Sequence, residues 1–476
     1  MKFIKENKII ICIITIIIII IGIYVIKKQN KTKITYDNLD ITTTWNETEV
    51  TKIEMEENKN VNITQGGTYV IEGSSTNSNI LVNTEEDVIL VLNNTNITNK
   101  IGPAITIENA NKTVLTLNEN TTNKLSNGTT ENEDYDAVIY SKDDLTINGE
   151  GSLEIISNYE NGIKCTDNLK IMSGNIKINS KTNGIIGKDS ITIKSGNIDI
   201  TSGKDGIKTN NTEDQTLGNI IIEDANITIN SEEDGIQSEN NLTINNGTFD
   251  ITTNNGSKEL TIKQEWGKTN NTTSESSKAI KASNIIINNG AFKINSNDDG
   301  IHSNGNLTIN NGTYEIKSSD DALHADKLLE INNGTLNIIG AEGLEATYVK
   351  INDGNITIEA SDDGINAGKK SSDYTPTIEI NGGTITIKMY QGDTDGLDSN
   401  GNIYINGGTI NITGQSPFDY DGEAKYTGGK MTINGKETTE ITNQFMGGMQ
   451  GKQNIQGEMP NKEQGNINQP RQGMRR

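Results

Sequence analysis

Short runs of alternating apolar and polar residues recur along most of this chain, and Gly or Asn closes each run. Leu307-Thr308-Ile309 is followed by Asn310-Asn311-Gly312 and Tyr314-Glu315-Ile316. One period later come Leu328-Leu329-Glu330-Ile331, Asn332-Asn333-Gly334 and Leu336-Asn337-Ile338. Alternation with period two predicts strands with one face inward, and Asn-Gly predicts sharp turns because both residues tolerate left-handed backbone. Each unit opens on a mark, Asp-Gly-Ile or a variant of it. Asp299-Gly300-Ile301, Asp321-Ala322-Leu323, Glu342-Gly343-Leu344 and Asp363-Gly364-Ile365 follow one another at 22, 21 and 21 residues. Weaker or more widely spaced copies begin at Asn161, Asn183, Asp205, Asp234 and Asp395. Three short strands and three turns in such a period predict a stacked-coil protein: all-β, a right-handed parallel β-helix (solenoid) of about 21–22-residue coils. About a dozen coils at the ~4.8 Å strand spacing would make a rod roughly 55–60 Å long. Stacked in register, Asn246, Asn289, Asn311 and Asn333 are expected to bond to one another as a ladder.

The same pattern divides the chain. Lys2, Lys5 and Lys8 precede an apolar run of eighteen residues, Ile9 to Ile26, which ends at Lys27-Lys28. That run is long enough to cross a bilayer, and no small-residue cleavage pattern follows it. Residues 1–28 therefore read as a signal-anchor, an N-terminal transmembrane helix holding the rest at the extracellular face of the cell membrane; a cleaved, secreted form is the alternative. Residues 29–60 read as a polar spacer with Trp45, and 61–134 as irregular N-terminal coils and cap. Residues 135–440 read as the regular β-helix, and 441–476 as a disordered Gly/Gln/Met-rich tail. Ser257–Ser277 with Trp266, Gly368–Thr377 with Tyr374, and a third excursion, Gly414–Gly429 with Phe418, Tyr420 and Tyr426, are expected as surface loops.

Composition narrows the partners. A net charge of −23 and a pI near 4.6 exclude nucleic acid and anionic membrane surfaces. A hydrophobic content of 32% suits a slender rod with a thin core. Two cysteines give no disulfide framework, and alternation turns Cys165 inward as an inert thiol.

In register, the marks stack Asp205, Asp234, Asp299, Asp321, Glu342, Asp363 and Asp395 along one edge of the rod. Asp298, Asp320 and Asp362 stand just before a mark, Asp393 shortly before Asp395, and Glu345 and Asp398 just after. Carboxylates one coil apart repel, and several of them with nearby carbonyls make a ligand shell for Ca²⁺. The candidate metal ligands are Asp234, Asp298, Asp299, Asp320, Asp321, Glu342, Glu345, Asp362, Asp363, Asp393, Asp395 and Asp398. The other reading is that each Asp only supports its own turn, with its charge splayed into water. Lys278 takes the mark position in one coil and would neutralise its neighbours. His302 and His324 fall at equivalent places one period apart. They read either as a transition-metal pair or, preferably, as two solvent-facing residues of a polar column.

The run S-x-D-D-G-I-H-S-N-G-N-L-T-I-N-N-G-T at 296–313, with D-G-L-D-S-N-G-N-I at 395–403, resembles the bacterial extracellular carbohydrate-binding parallel β-helix family. The resemblance covers roughly residues 45–435. It implies a fold similar to family-9 pectate lyases, an extracellular location, bound calcium, and recognition of plant cell-wall polysaccharide, acidic pectic polymers included. By position it carries over only the acidic column, as calcium ligands. The expected function is a cell-surface, non-catalytic carbohydrate-binding protein whose partner is pectin, polygalacturonate or a cellulose-like polymer, with calcium as cofactor. Two alternatives remain: a calcium-dependent pectate lyase with Lys208 or Lys281 as base, and a structural adhesin or envelope rod.

Overall fold

A computed structural model describes residues 35–130, 134–258, 275–391 and 394–443. Its strands stack coil upon coil in parallel register. Ile163 pairs with Ile185, Ile185 with Ile207, Ile280 with Ile301, Ile301 with Leu323, and Leu323 with Leu344. Three such columns wind together. The first, which carries the marks, runs from Val61–Ile63 through Ile301–Ser303 to Ser416–Tyr420. The second runs from Val50–Met55 through Asn168–Ile171 to Ala424–Tyr426. The third runs through Asn175–Ser180 and Thr313–Ser318 to Lys430–Ile433, where antiparallel Lys436–Thr438 closes the rod. The expected all-β, parallel coil architecture is therefore what these residues form.

The inward partners of each alternation, such as Ile301, Leu307 and Ile316, fill the space between the three columns. Phe249, Phe292 and Tyr314 stack there ring on ring, with centroids 4.6 and 4.8 Å apart. Among the described residues these three and Phe418 are the aromatic rings of the buried core. The mark glycine has a packing reason. A Cβ on Gly300 would lie 2.5 Å from the Ala322 carbonyl oxygen and 2.7 Å from Ile316 Cγ2. The neighbouring coil and the third column both close on that point, and glycines 162, 184, 206, 235, 343 and 364 face the same crowding.

Three expectations are corrected. Gly414–Gly429 is not an excursion: Leu397 pairs with Phe418, 21 residues on, and Phe418 is a core residue only 2% exposed. A loop near 210–218 was not foreseen; it stretches the step from Ile207 to its partner Ile236 to 29 residues. The long asparagine ladder lies one residue before the expected one. Asn288, Asn310, Asn332, Asn352, Asn381 and Asn406 each hand a side-chain amide hydrogen back to the asparagine of the preceding coil, the first of these acceptors being Asn245, at 2.8 to 3.0 Å. Asn246, Asn289 and Asn311 form only a short one, because Asn333 accepts instead from the Gly334 N–H.

Within the segment read as a spacer, a single helical turn, α1 (Asn38–Ile41), lies against the outer face of the second column. Asp37 and Asp40 close a reciprocal capping box. Asp40 is fully buried and grips three successive coils: Lys112 Nζ at 2.8 Å, Thr146 Oγ1 at 2.7 Å and Lys170 Nζ at 2.8 Å. These contacts prevail over the burial penalty and hold its carboxyl at about 2. The apolar run Ile9 to Ile26, Trp266, Asp393 and the tail from Met446 lie outside the described residues. Among the described residues no helix is long and apolar enough to cross a membrane.

Candidate functional site: a column of carboxylates and the cations that face it

Each mark begins where the chain turns from the third column into the first. A serine three residues before the acid caps this turn: Ser202, Ser231 and Ser318 each donate to a carbonyl two residues on, at 3.0 Å. The acid then uses one oxygen along the rod. Asp205 Oδ1 accepts the Asp234 N–H at 2.9 Å, Asp234 Oδ1 that of Lys278 at 2.8 Å, Asp299 Oδ1 that of Asp321 at 3.1 Å, and Asp363 Oδ1 that of Asp395 at 3.1 Å. The reading of these acids as turn supports is thus half of what they do. In Asp205, Asp299 and Asp321 the second oxygen meets the side chain three residues on, at the next outward position of the first column, and in Asp234 it meets a cation from the adjacent coil.

That second partner divides the column. In the N-terminal part it is a cation. Asp205 holds Lys208 at 2.7 Å, Asp234 holds Lys281 at 3.5 Å, and Lys278 sits between Asp298 at 2.8 Å and Asp299 at 3.0 Å. Burial alone would lower the Lys278 pKa, but Asp299 and Asp298 outweigh it and hold the lysine charged. Asp299 also takes His302 Nδ1 at 2.7 Å, and its carboxyl is held well below the usual range against the cost of burial.

The preferred reading of the histidines as solvent-facing is corrected. His324 is 7% exposed, and its Nδ1 lies 2.8 Å from both Asp321 and Glu345. Those two carboxylates overcome the burial penalty and raise it to about 11. Glu345, which also meets Lys370 at 2.6 Å, is held at about 2 despite burial, while burial pushes Asp321 well up.

Beyond Glu345 the cations stop. The residue three after Glu342 is Glu345, after Asp363 it is Asn366, and after Asp395 it is Asp398. Burial, then repulsion from Glu345, pushes Glu342 up to about 8. Burial, then Glu342 and Asp398, pushes Asp363 to about 9. Burial, then Asp395, Asp419 and Asp421, pushes Asp398 to about 7. Asn366 donates to Glu342 at 2.9 Å, which relieves little of this charge. Asp395 stacks on Asp363, and Asp398 lies between Asn366 and Asp419. Asp320 and Asp362 precede the marks of their own coils.

Of the twelve residues singled out from sequence, the structure places eleven along this edge; Asp393 is outside the described residues. Asp419, Asp421 and Lys370 were missed. Asp419 follows Ser416-Pro417-Phe418, a coil that has lost its mark, and Lys370 arrives from the loop after Ala367. Lys208 and Lys281, the lysines considered as bases, are both engaged with carboxylates.

The sequence model of a family described as carbohydrate-binding domain-containing protein matches residues 57–322 and 320–456. A protein of that description from Acetivibrio thermocellus is 36% identical over 130 residues, 26% of this chain and 46% of the relative. The match thus spans less than half of that relative's length. A solved structure described as the polysaccharide lyase-like protein from C. thermocellum, gadolinium derivative, is 36% identical over 43% of this chain and 91% of that one, with a TM-score of 0.41.

Proposed function

The chain belongs to the family of carbohydrate-binding domain-containing proteins, and we propose that it is a non-catalytic, calcium-loaded rod that binds acidic polysaccharide at a cell surface. One observation carries the calcium reading: Glu342, Asp363 and Asp398 are crowded together on successive coils, with carboxyls pushed to about 8, 9 and 7 and no lysine or histidine at the facing position. Such a group must hold protons or a cation. Six to eight oxygens around a hard divalent ion is what Ca²⁺ takes. The calcium ligands are therefore assigned to Glu342, Asp362, Asp363, Asp395, Asp398 and Asp419, rather than evenly to the whole column. The earlier coils supply their own lysines and histidines.

Calcium on this edge would offer its open positions to the carboxylates of a uronate chain, so that an acidic protein gains an acidic ligand. The non-catalytic reading rests on the lysines. A base for proton abstraction needs a lowered pKa and a free lone pair; Asp298 and Asp299 hold Lys278 charged, and Lys208 and Lys281 are taken up in ion pairs with Asp205 and Asp234. The apolar run Ile9 to Ile26 would hold the rod at the outer membrane face. The test is binding of the full chain to polygalacturonate and to cellulose, with calcium and with chelator, while ultraviolet absorbance is followed. Retention on polygalacturonate that chelator abolishes, without an absorbance rise, supports the proposal. A rising absorbance reveals an unsaturated product and a lyase. Absence of any retention leaves a structural rod.

A further inference from the structure

The outer face of the second column changes character toward the C-terminal end of the rod. Its central outward position is held by Glu330, Lys350, Glu379 and Tyr404 on successive coils. Tyr348 takes the outward position two residues before Lys350. The loop between Ala367 and Thr377 lays Tyr374 beside it, edge to face, with ring centroids 5.7 Å apart. This loop is pinned at several points. Thr347 Oγ1 accepts the N–H groups of Lys370 and Ser371 at 3.0 and 2.8 Å, and Asp373 pairs with Lys327 at 2.7 Å. Tyr374 is 38% exposed, whereas Phe249, Phe292 and Tyr314 are sealed in the core. An edge-to-face contact with Tyr348 covers at most one face of the Tyr374 ring.

We propose that Tyr374, with Tyr348 and Tyr404 beside it, is a stacking platform for an uncharged, equatorially linked hexopyranose chain. Such a sugar presents flat C–H faces and a rim of hydroxyls. An exposed tyrosine ring covers the C–H face, and polar side chains around it take the hydroxyls. The rim is present here. Glu379 accepts from the Tyr348 hydroxyl and from Asn381 at 2.8 Å, and a carboxylate keeps further lone pairs for a ligand. Glu330 and Lys350 are paired at 3.1 Å, with side chains 24% and 32% exposed. Strand spacing sets Tyr348 and Tyr404, two coils apart, roughly 10 Å from each other along the rod, about two pyranose rings. Charge selects against a uronate. Lys327 is paired with Asp373, Lys350 with Glu330 and Lys425 with Glu423, and Glu379 adds a negative charge, so the patch repels a ligand carboxylate. The proposal draws on the carbohydrate-binding character of the family and is independent of the calcium edge, which lies on the first column.

The experiment titrates the full chain in chelator with cellohexaose, and separately with hexagalacturonate, by calorimetry. Cellohexaose is expected to bind although calcium is absent, and hexagalacturonate is expected not to bind in the same buffer. Tyr374→Ala should weaken cellohexaose by about three- to tenfold, while Tyr374→Phe, which keeps the ring, should stay near the wild-type affinity. Tyr374 lies on an exposed loop, so an unchanged melting temperature in both variants separates a lost contact from a damaged coil. No binding of cellohexaose, an affinity that Tyr374→Ala leaves unchanged, or equal affinity for hexagalacturonate in chelator overturns the proposal. Failure of polygalacturonate retention in calcium would instead count against the carboxylate edge and leave this platform standing.

Discussion

Replacing Lys278 with methionine tests whether cations built into the chain and calcium are interchangeable along the column. Lys278 Nζ lies 2.8 Å from Asp298 and 3.0 Å from Asp299, and Asp299 is 3% exposed. Removing one partner of a buried ion pair costs about 3–5 kcal/mol, because the other charge stays behind in a poor solvent. His302 still faces Asp299 and Asp298 is partly solvated, so the low end, about 3 kcal/mol, is expected. The substitution also strips the lysine from a group whose oxygens already lie within 4.8 Å of one another: Asp298, Asp299 and Asp320. That span is about twice a calcium–oxygen bond of roughly 2.3–2.6 Å. The variant should therefore acquire a calcium site that wild type lacks. At a hundredfold excess over Kd, binding restores about 2.7 kcal/mol, nearly all of the loss. Chemical denaturation in chelator and in calcium, with calorimetric stoichiometry, measures both halves. Lys293→Met removes an exposed partner of Asp250 and should leave the denaturation midpoint nearly unchanged in either buffer. A Lys278→Met protein that binds no additional calcium, or that is equally destabilised in calcium and in chelator, would refute the idea that the two kinds of cation substitute for each other.

Three further outcomes are expected. Glu342, Asp363 and Asp398 have folded-state pKa values of about 8, 9 and 7 against ordinary values of 4.5, 3.8 and 3.8, so chelated protein loses stability as pH rises through that window. His324, raised from 6.5 to about 11, acts in the same direction, with its contribution complete below 6.5. Glu345 and Asp40, both held at about 2, act oppositely and lose theirs as pH falls below about 4.5. The melting temperature in chelator should therefore peak near roughly pH 4–5 and decline toward pH 9, with calcium flattening the alkaline limb; an unchanged value from pH 5 to 9 contradicts the reading. Gly300→Ala should cost about 1–3 kcal/mol by overpacking against the Ala322 carbonyl and Ile316, read by denaturant midpoint, yet still fold because Ala322 fills the same place one coil on. Asp40→Asn should leave Lys112 and Lys170 without their shared carboxylate and cost about 3–5 kcal/mol, with limited proteolysis opening near α1; a protease-resistant variant would show that α1 is held by other contacts.

The coil was legible because its physics repeats. Alternation fixed which residues face inward, and the mark spacing fixed the register, so Asp299, Asp321, Glu342 and Asp363 fell into one column as expected. Misreadings came where the repeat is silent. Ser416-Pro417-Phe418 has no acid and no glycine, so a regular coil looked like a loop, and a core phenylalanine looked like a surface aromatic. The 210–218 loop is polar and has no period of its own, and only the 29-residue step from Asp205 to Asp234 signalled it. The grip of Asp40 on Lys112 and Lys170 joins residues 72 and 130 positions apart, which no local pattern announces. The asparagine ladder was misplaced by one residue because Asn-Asn-Gly offers two amides, and periodicity alone does not tell which one points along the rod.

The residue three after each mark acid was visible all along, yet its meaning appears only once the acid's two oxygens are seen to have separate tasks. In Asp205, Asp234, Asp299 and Asp363 one oxygen is committed to an N–H of the next coil, since a turn with an open amide is costly. The other is left to the outward side chain three residues on, and that single choice sets the charge state of the coil. Lys208, His302 and His324 close it with a proton-bearing nitrogen; Asn366 leaves the charge nearly untouched; Glu345 and Asp398 double it. A solenoid makes such choices nearly independent, because each coil touches only its neighbours. The rod can therefore carry self-neutralised coils and cation-demanding coils side by side without changing its backbone. Affinity for an ion is then a property of where along the chain the lysines and histidines stop, and here they stop at Glu345 and Lys370.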